Sequence, residues 1–189
     1  MRTLRQVFYA PNQLTLLRLI FIPFIILSIF YEQYETAFVL ILIGGASDGL
    51  DGILARRLRQ QTTLGTYLDP IADKLLLSTS FVALGLQRQI PLWLVILVLS
   101  RDVIILATAL VMILTTPVRR FPPSVYGKIN TMAQVATVLL TLLALFYSLA
   151  ALRWLQQLAI YFTALFTIVS GLHYAFTTAE RLRHLDRAS

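Results

Sequence analysis

Asp48, Asp51, Asp69 and Asp73 are four of only nine acidic residues in a 189-residue chain, and apolar runs flank them on both sides. Spacings of three and four residues place the members of each pair on one face of a helix. Joined by a short loop at 56–65, two antiparallel helices can oppose those faces, so that all four carboxylates converge on one spot. Asp48 and Asp51 lie inside "FVLILIGGASDGLDGIL", and an aspartate at the centre of a membrane helix costs roughly 2.5–3.5 kcal/mol, less near the interface. Two on one face repel each other as well as the second pair. Such a cluster needs cations.

The chain has no cysteine, and its two histidines, His173 and His184, lie far from the aspartates in sequence. Oxygen-only donors favour hard cations such as Mg²⁺ or Mn²⁺ over zinc. Four carboxylates can hold two ions roughly 3.5–4 Å apart, the arrangement that clamps phosphoryl oxygens during in-line displacement. Asp69 has a second reading, as a helix N-cap with Pro70 in the first helical position. Gly44, Gly45, Gly49, Gly52 and Gly65 crowd the same region. For Gly44 and Gly45 close helix packing is expected, Gly45 and Gly49 forming a small-xxx-small pair. Gly52 and Gly65 sit beside the carboxylates, where a missing side chain lets a ligand approach the backbone.

The elements that must carry these residues are membrane helices. The chain is 58% hydrophobic and 13% charged, where a soluble domain carries roughly 25% charged residues. Six segments reach the roughly 20 apolar residues that a crossing needs: 14–31, 35–54, 66–86, 91–114, 128–150 and 155–177. The fold expected is an all-α integral membrane protein of six transmembrane helices, a single domain over 1–189, with residues 1–10 as a short amphipathic surface segment. The first apolar run is too long for a signal-peptide core and is expected to be retained.

Six crossings put both termini on one side. That side then holds Arg2, Arg5, Arg56, Arg57, Arg59, Arg119, Arg120, Lys128, Arg181, Arg183 and Arg187, and the other only Arg88 and Arg153. The asymmetry predicts cytoplasmic termini, with the aspartates at the same face of a cell inner membrane. The net charge of +7 is spread between apolar runs instead of forming one patch, so nucleic acid is not expected as a partner.

With its spacing written out, the stretch is Asp48-x2-Asp51-Gly52-x2-Ala55-Arg56-x8-Gly65-x3-Asp69-x3-Asp73. It resembles the signature of the CDP-alcohol phosphatidyltransferase family at every position, and the six-span layout extends the resemblance over essentially the whole chain. The resemblance implies a pair of divalent metals, Mg²⁺ or Mn²⁺, held by Asp48, Asp51, Asp69 and Asp73 on the diphosphate of a CDP-linked lipid. It implies Asp73 as general base toward the acceptor alcohol. Gly52, Ala55, Arg56 and Gly65, together with Asn12 and Thr15, are assigned to the CDP-lipid. The reaction implied is attack of the acceptor oxygen on the lipid-linked phosphorus, with CMP leaving. A homodimer is implied on the same ground.

The acceptor is read from three further stretches. "PNQLTLLRL" (Pro11–Leu19) is similar to the entry of the first helix in phosphatidylglycerophosphate synthases and related single-domain cardiolipin synthases, with Asn12, Thr15 and Arg18 on one face. Arg18 either snorkels to the surface or meets substrate. "SRDVIILA" puts Arg101 and Asp102 in an apolar run, as an internal ion pair or facing a hydrated cavity. "YGKINTMAQ" opens the fifth span with Lys128 and Asn130. Arg119, Arg120 and Lys128 offer cations on the side of the metals, suited to a phosphate-bearing acceptor. The expectation is glycerol 3-phosphate as acceptor and CDP-diacylglycerol as donor. The alternative is a cardiolipin synthase using phosphatidylglycerol, toward which the Arg-Asp pair leans. An ion-coupled transporter would place carboxylates near the midplane and show repeat symmetry. Here the acids gather at one face and no repeat is visible. A scaffold without catalysis leaves the signature spacing unexplained.

Overall fold

The computed structural model describes residues 10–45, 63–115 and 125–186, and every regular element among them is helical. In chain order the helices are α1 (Ala10–Phe30), α2 (Tyr34–Gly45), α3 (Thr63–Leu86), α4 (Leu92–Thr115), α5 (Val125–Tyr147) and α6 (Ala150–Asp186). α5 lies along α6 in the most extensive pairing; α1 packs on α3, α4 on α6, and α3 also touches α4 and α5.

Apolar side chains lie on both the inside and the outside of the bundle: Ile25, Phe81, Leu94 and Leu142 form a buried core. Large apolar groups such as Ile96, Met132, Tyr161 and Phe176 point outward, whereas Arg18, Ser80, Asp102, Asn130, Gln134 and Thr163 are buried. Lipid is as apolar as leucine, so burying leucine gains little there; polar groups instead seek one another inside. Among the described residues, two helices, α5 over Val125–Tyr147 and α6 over Ala150–Thr177, are long and apolar enough to cross a membrane by length and composition alone.

The described connections share one chemistry. Glu32, Arg88 and Ser148 adopt φ of 58°, 59° and 52°, the left-handed conformation that closes helix C-termini. After α1, Gln33 N–H donates to Ser28 C=O at 2.8 Å and Glu32 N–H to Ile29 C=O at 3.2 Å. After α3, Gln89 N–H reaches Leu84 C=O at 2.9 Å and Arg88 N–H reaches Gly85 C=O at 3.0 Å. Both are paired 6→1 and 5→2 Schellman closures, and α5 ends with the single 5→1 bond from Ser148 to Ala144. Gln87 Nε2 then donates to Phe30 C=O at 3.2 Å and Gln156 Nε2 to Gln89 C=O at 3.0 Å. These bonds gather the ends of α1 and α3 and the start of α6 at one end of the bundle, with Arg18, Asp73 and Asp102 near the middle of their helices.

Several boundaries differ from the sequence reading by a few residues, and two of them change it. α3 runs from Thr63, so Asp69-Pro70 lies inside a helix and the N-cap reading of Asp69 does not hold. Pro70, eighth in α3, has no N–H to offer the carbonyl four residues earlier, so one intrahelical bond is forgone there. α6 continues to Asp186, past the expected end at 177. Charge ended the apolar run there, but Ala, Glu, Arg and Leu are all good helix formers. The amphipathic segment expected over 1–10 lies outside the described residues, apart from Ala10, which opens α1.

Gly85 sets how closely α3 approaches α4. A Cβ built there would stand 2.7 Å from Val95 Cγ2 and 3.4 Å from Leu92 Cδ2, and the β-branched valine has little rotamer freedom to retreat. Gly85→Ala is expected to destabilise the protein by about 1–3 kcal/mol, read as a lowered midpoint in thermal unfolding in detergent.

Candidate active site

Arg18 brings the functional region together. It sits near the middle of α1 and is only 1% exposed, so it does not snorkel. Its Nε donates to the backbone carbonyl of Gly44 at 3.0 Å, and its Nη1 donates to Asp73 Oδ1. One guanidinium therefore ties α1 to the end of the described part of α2 and to α3. The planar fork of arginine suits this, because its donors diverge in fixed directions.

Gly44 is part of the same contact. A Cβ there would meet Leu76 Cδ1 at 3.1 Å and Arg18 Cγ at 3.7 Å, whereas one at Gly45 meets nothing within 4 Å. The close-packing role expected of both glycines thus falls to Gly44. Gly45 opens instead onto a cavity of about 530 Å³ between α2, α3 and α5. Ile41, Leu42, Leu76, Leu77, Val135 and Leu139 give it apolar walls, and Arg18, Asp73 and Thr131 give it polar atoms. The Asp73 side chain is 46% exposed there.

A second ionic group lies one residue further along α3. Lys74 Nζ stands 2.6 Å from Asp102 Oδ1, and Arg101 Nη1 donates to that same oxygen at 3.0 Å. Arg101 Nη2 also donates to Ser170 Oγ on α6. The Arg101–Asp102 pair is thus internal, as one of the two readings had it. Asp102 Oδ2 and Arg101 Nε find no partner among the described residues.

A polar seam runs between α5 and α6. Asn130, Gln134, Thr137 and Thr141 recur at i, i+4, i+7 and i+11, and Thr163, Thr167 and Ser170 at i, i+4 and i+7; all are buried. Thr167 donates to Asn130 Oδ1 at 2.9 Å, and the hydroxyls of Thr137 and Thr163 are 2.9 Å apart. Asn130 Nδ2 and Gln134 Nε2 point donors at no described acceptor. The periodicity of these hydroxyls and amides in two apolar segments was the available signal for this seam, and for Lys74 it was adjacency to Asp73.

Of the residues expected at the site, Asp73 and Arg18 are brought into contact. Asp69 lies one turn before Asp73 on α3, with Gly65 four residues earlier, and Asn12 and Thr15 precede Arg18 on α1. Lys128 is exposed at the start of α5, and His173 stands outside the cluster with its ring 4.8 Å from Tyr126. Asp48, Asp51, Gly52, Ala55, Arg56, Arg119 and Arg120 lie outside the described residues, and among those described no three His, Cys, Asp or Glu side chains form a metal-sized group.

The chain matches the model of the CDP-alcohol phosphatidyltransferase family over residues 8–169. It belongs to that family. It is accordingly an enzyme, a membrane transferase of phospholipid biosynthesis. Among its relatives, the CDP-diacylglycerol–glycerol-3-phosphate 3-phosphatidyltransferase of Bacillus subtilis (strain 168) is 32% identical over 192 residues, covering 93% of this chain and 98% of that one. The protein of the same name from Aquifex aeolicus is 34% identical, covering 87% and 93%. The cardiolipin synthase (CMP-forming) of Homo sapiens is 30% identical, covering 92% of this phosphatidyltransferase but 64% of the human protein.

The Arg18 geometry gives a test within this phosphatidyltransferase. An ammonium lacks the fork that reaches a carbonyl and a carboxylate together, so Arg18→Lys leaves one of them without its donor. The expected cost is about 1–3 kcal/mol of stability, seen as a lower unfolding midpoint, with CMP release falling at least as far as the folded fraction.

Proposed function

We propose that the enzyme transfers a phosphatidyl group from CDP-diacylglycerol to glycerol 3-phosphate and releases CMP. The observation that carries this reading is the placement of Asp73. It stands half exposed at the polar side of an apolar cavity, held by a buried guanidinium, which suits a substrate with a charged head and an apolar body. Relatives named for glycerol 3-phosphate transfer align along nearly their full length, which favours that acceptor over phosphatidylglycerol.

The donor set fits hard divalent cations. Asp69 and Asp73 share a face of α3, and Gly45, where described α2 ends, precedes Asp48 by three residues, a reach of at most about 11 Å. Arg18 holds the Gly44 carbonyl and Asp73 together, so the chain that continues to Asp48 and Asp51 sets out from beside Asp73. On this reading those four aspartates hold two Mg²⁺ or Mn²⁺ ions, which when bound neutralise the diphosphate and the charge of departing CMP. Gly52, Ala55, Arg56 and Gly65, with Asn12 and Thr15, receive the CDP-lipid.

Asp73 accepts the proton of the acceptor hydroxyl. The acceptor oxygen forms its bond to the lipid-linked phosphorus as the bond from that phosphorus to CMP breaks. Because CMP leaves readily, positioning and charge supply most of the acceleration. Arg119, Arg120 and Lys128, with Asn130, are assigned to the acceptor phosphate on this reading. The six helices cross the membrane with both termini and the site toward the cytoplasm, in keeping with the basic residues gathered on that side.

Product-resolved CMP release tests the reading, with purified protein, CDP-diacylglycerol, Mn²⁺ or Mg²⁺, and the two acceptors offered side by side. Phosphatidylglycerophosphate as sole product is expected; cardiolipin as sole product makes the enzyme a cardiolipin synthase instead. Chelation is expected to stop turnover, and Asp73→Asn to lower turnover per folded protein by about 10²–10⁴-fold, with the unfolding midpoint also lowered because the buried Arg18 loses its carboxylate. Turnover unchanged in Asp73→Asn would remove the general-base assignment.

A further inference from the structure

The ion pair between Lys74 and Asp102 is not accounted for by the chemistry above. Consecutive residues Asp73 and Lys74 leave α3 about 100° apart and are drawn to different helices, Asp73 to Arg18 on α1 and Lys74 to Asp102 on α4. Asp102 is 6% exposed and takes Lys74 Nζ at 2.6 Å and Arg101 Nη1 at 3.0 Å on one oxygen. Arg101 is in turn fixed by Ser170 and packs its Cγ 3.6 Å from where a side chain at Gly171 would begin. A buried carboxylate clamped by two cations, one of them anchored to a third helix, cannot turn away from its partners.

From this arrangement we infer that Asp102 is a positioning residue that keeps the charge of Lys74 off the carboxylate cluster, and so sets that cluster's affinity for divalent cations. The inference rests on the reading that Asp69 and Asp73 bind metal. Lysine carries a compact charge on a flexible four-carbon stem, and this one is a single residue from Asp73. In a medium of low dielectric an uncompensated ammonium at that distance opposes the binding of a dication and competes for the carboxylates. Asp102 gives the ammonium a fixed partner on the far side of α3. The group formed by Lys74, Arg101 and Asp102 has two positive charges against one negative. Removing the carboxylate alone raises the local positive charge, and removing Lys74 with it restores the original balance.

That balance separates charge compensation from simple bracing. Mn²⁺ binding is measured on the purified full-length protein by the electron paramagnetic resonance signal of the free ion, for wild type, Asp102→Asn, Lys74→Gln and the double variant. Thermal unfolding is recorded for each. Asp102→Asn is expected to weaken Mn²⁺ binding roughly threefold to tenfold and to raise the Mn²⁺ needed for half-maximal CMP release by a similar factor, with kcat recovering at saturating Mn²⁺. Lys74→Gln is expected to bind as wild type or more tightly, and the double variant to return to wild-type affinity despite lacking the bridge. A brace predicts the opposite order, with Lys74→Gln and the double variant as impaired as Asp102→Asn; that result overturns the inference, as does unchanged affinity in Asp102→Asn. Should Asp102→Asn not fold, the double variant set against Lys74→Gln decides: equal affinities near wild type uphold the inference, and impairment in both overturns it. If wild type binds no more Mn²⁺ than Asp73→Asn, the metal reading fails and takes the inference with it.

Discussion

The guanidinium of Arg18, carried by α1, bonds α2 and α3 at once, and the candidate site is assembled around it. An arginine in an apolar bundle carries a positive charge that lipid cannot solvate, and the cost falls only where acceptors surround it. The Gly44 carbonyl and Asp73 are those acceptors. The absence of a side chain at Gly44 is what brings its carbonyl close enough, since Leu76 and Arg18 itself occupy the neighbouring space. The same contact that neutralises Arg18 holds a half-exposed carboxylate at the edge of an apolar cavity.

The turn end and the middle of the bundle are held by different forces. At the turn end, Schellman closures, side-chain bonds from Gln87 and Gln156, and the Gly85–Val95 approach fix the helices by short-range geometry. Away from the turns, near mid-helix, the helices are joined by charges: Arg18 with Asp73, and Lys74 and Arg101 with Asp102. Hydroxyls and amides pair across α5 and α6, the association mode expected where lipid removes the hydrophobic drive. A site that must admit a diphosphate belongs beside these ionic groups. Packed methyl groups offer an anion nothing, whereas charged groups can take a further charged partner into the same set.

The helices were legible in the sequence because lipid demands about 20 apolar residues in a row, and that demand shows in composition. Five of six expected segments begin or end within a few residues of the observed helices; α6 departs because helix propensity outlasts hydropathy there. The aspartate pair on α3 was legible from its spacing, whereas the N-cap alternative for Asp69 depended on where α3 begins, which spacing does not reveal. Arg18 could be read two ways because an arginine near the end of an apolar run is equally compatible with snorkelling and with burial; only its neighbours on α2 and α3 decide. Lys74 and the α5–α6 seam were missed for a related reason. Their partners are remote in sequence, Asp102 on α4 for the first and Thr163 and Thr167 on α6 for the second.

Acceptor choice is where burial changes the argument most. Six residues were offered for that role by sequence, and two of them, Arg18 and Arg101, are committed to internal carboxylates. Asn130 is buried, with its Oδ1 facing Thr167. Lys128 remains, exposed at the start of α5, together with Arg119 and Arg120. Glycerol 3-phosphate brings a phosphate monoester with close to two negative charges, whereas phosphatidylglycerol brings a diester with one. Discrimination between them therefore calls for cations other than Arg18 and Arg101, and among the described residues Lys128 is the exposed one of those offered. On the proposed reading the aspartate signature serves the chemistry at phosphorus, and the basic residues leading into α5 serve the choice of what attacks it.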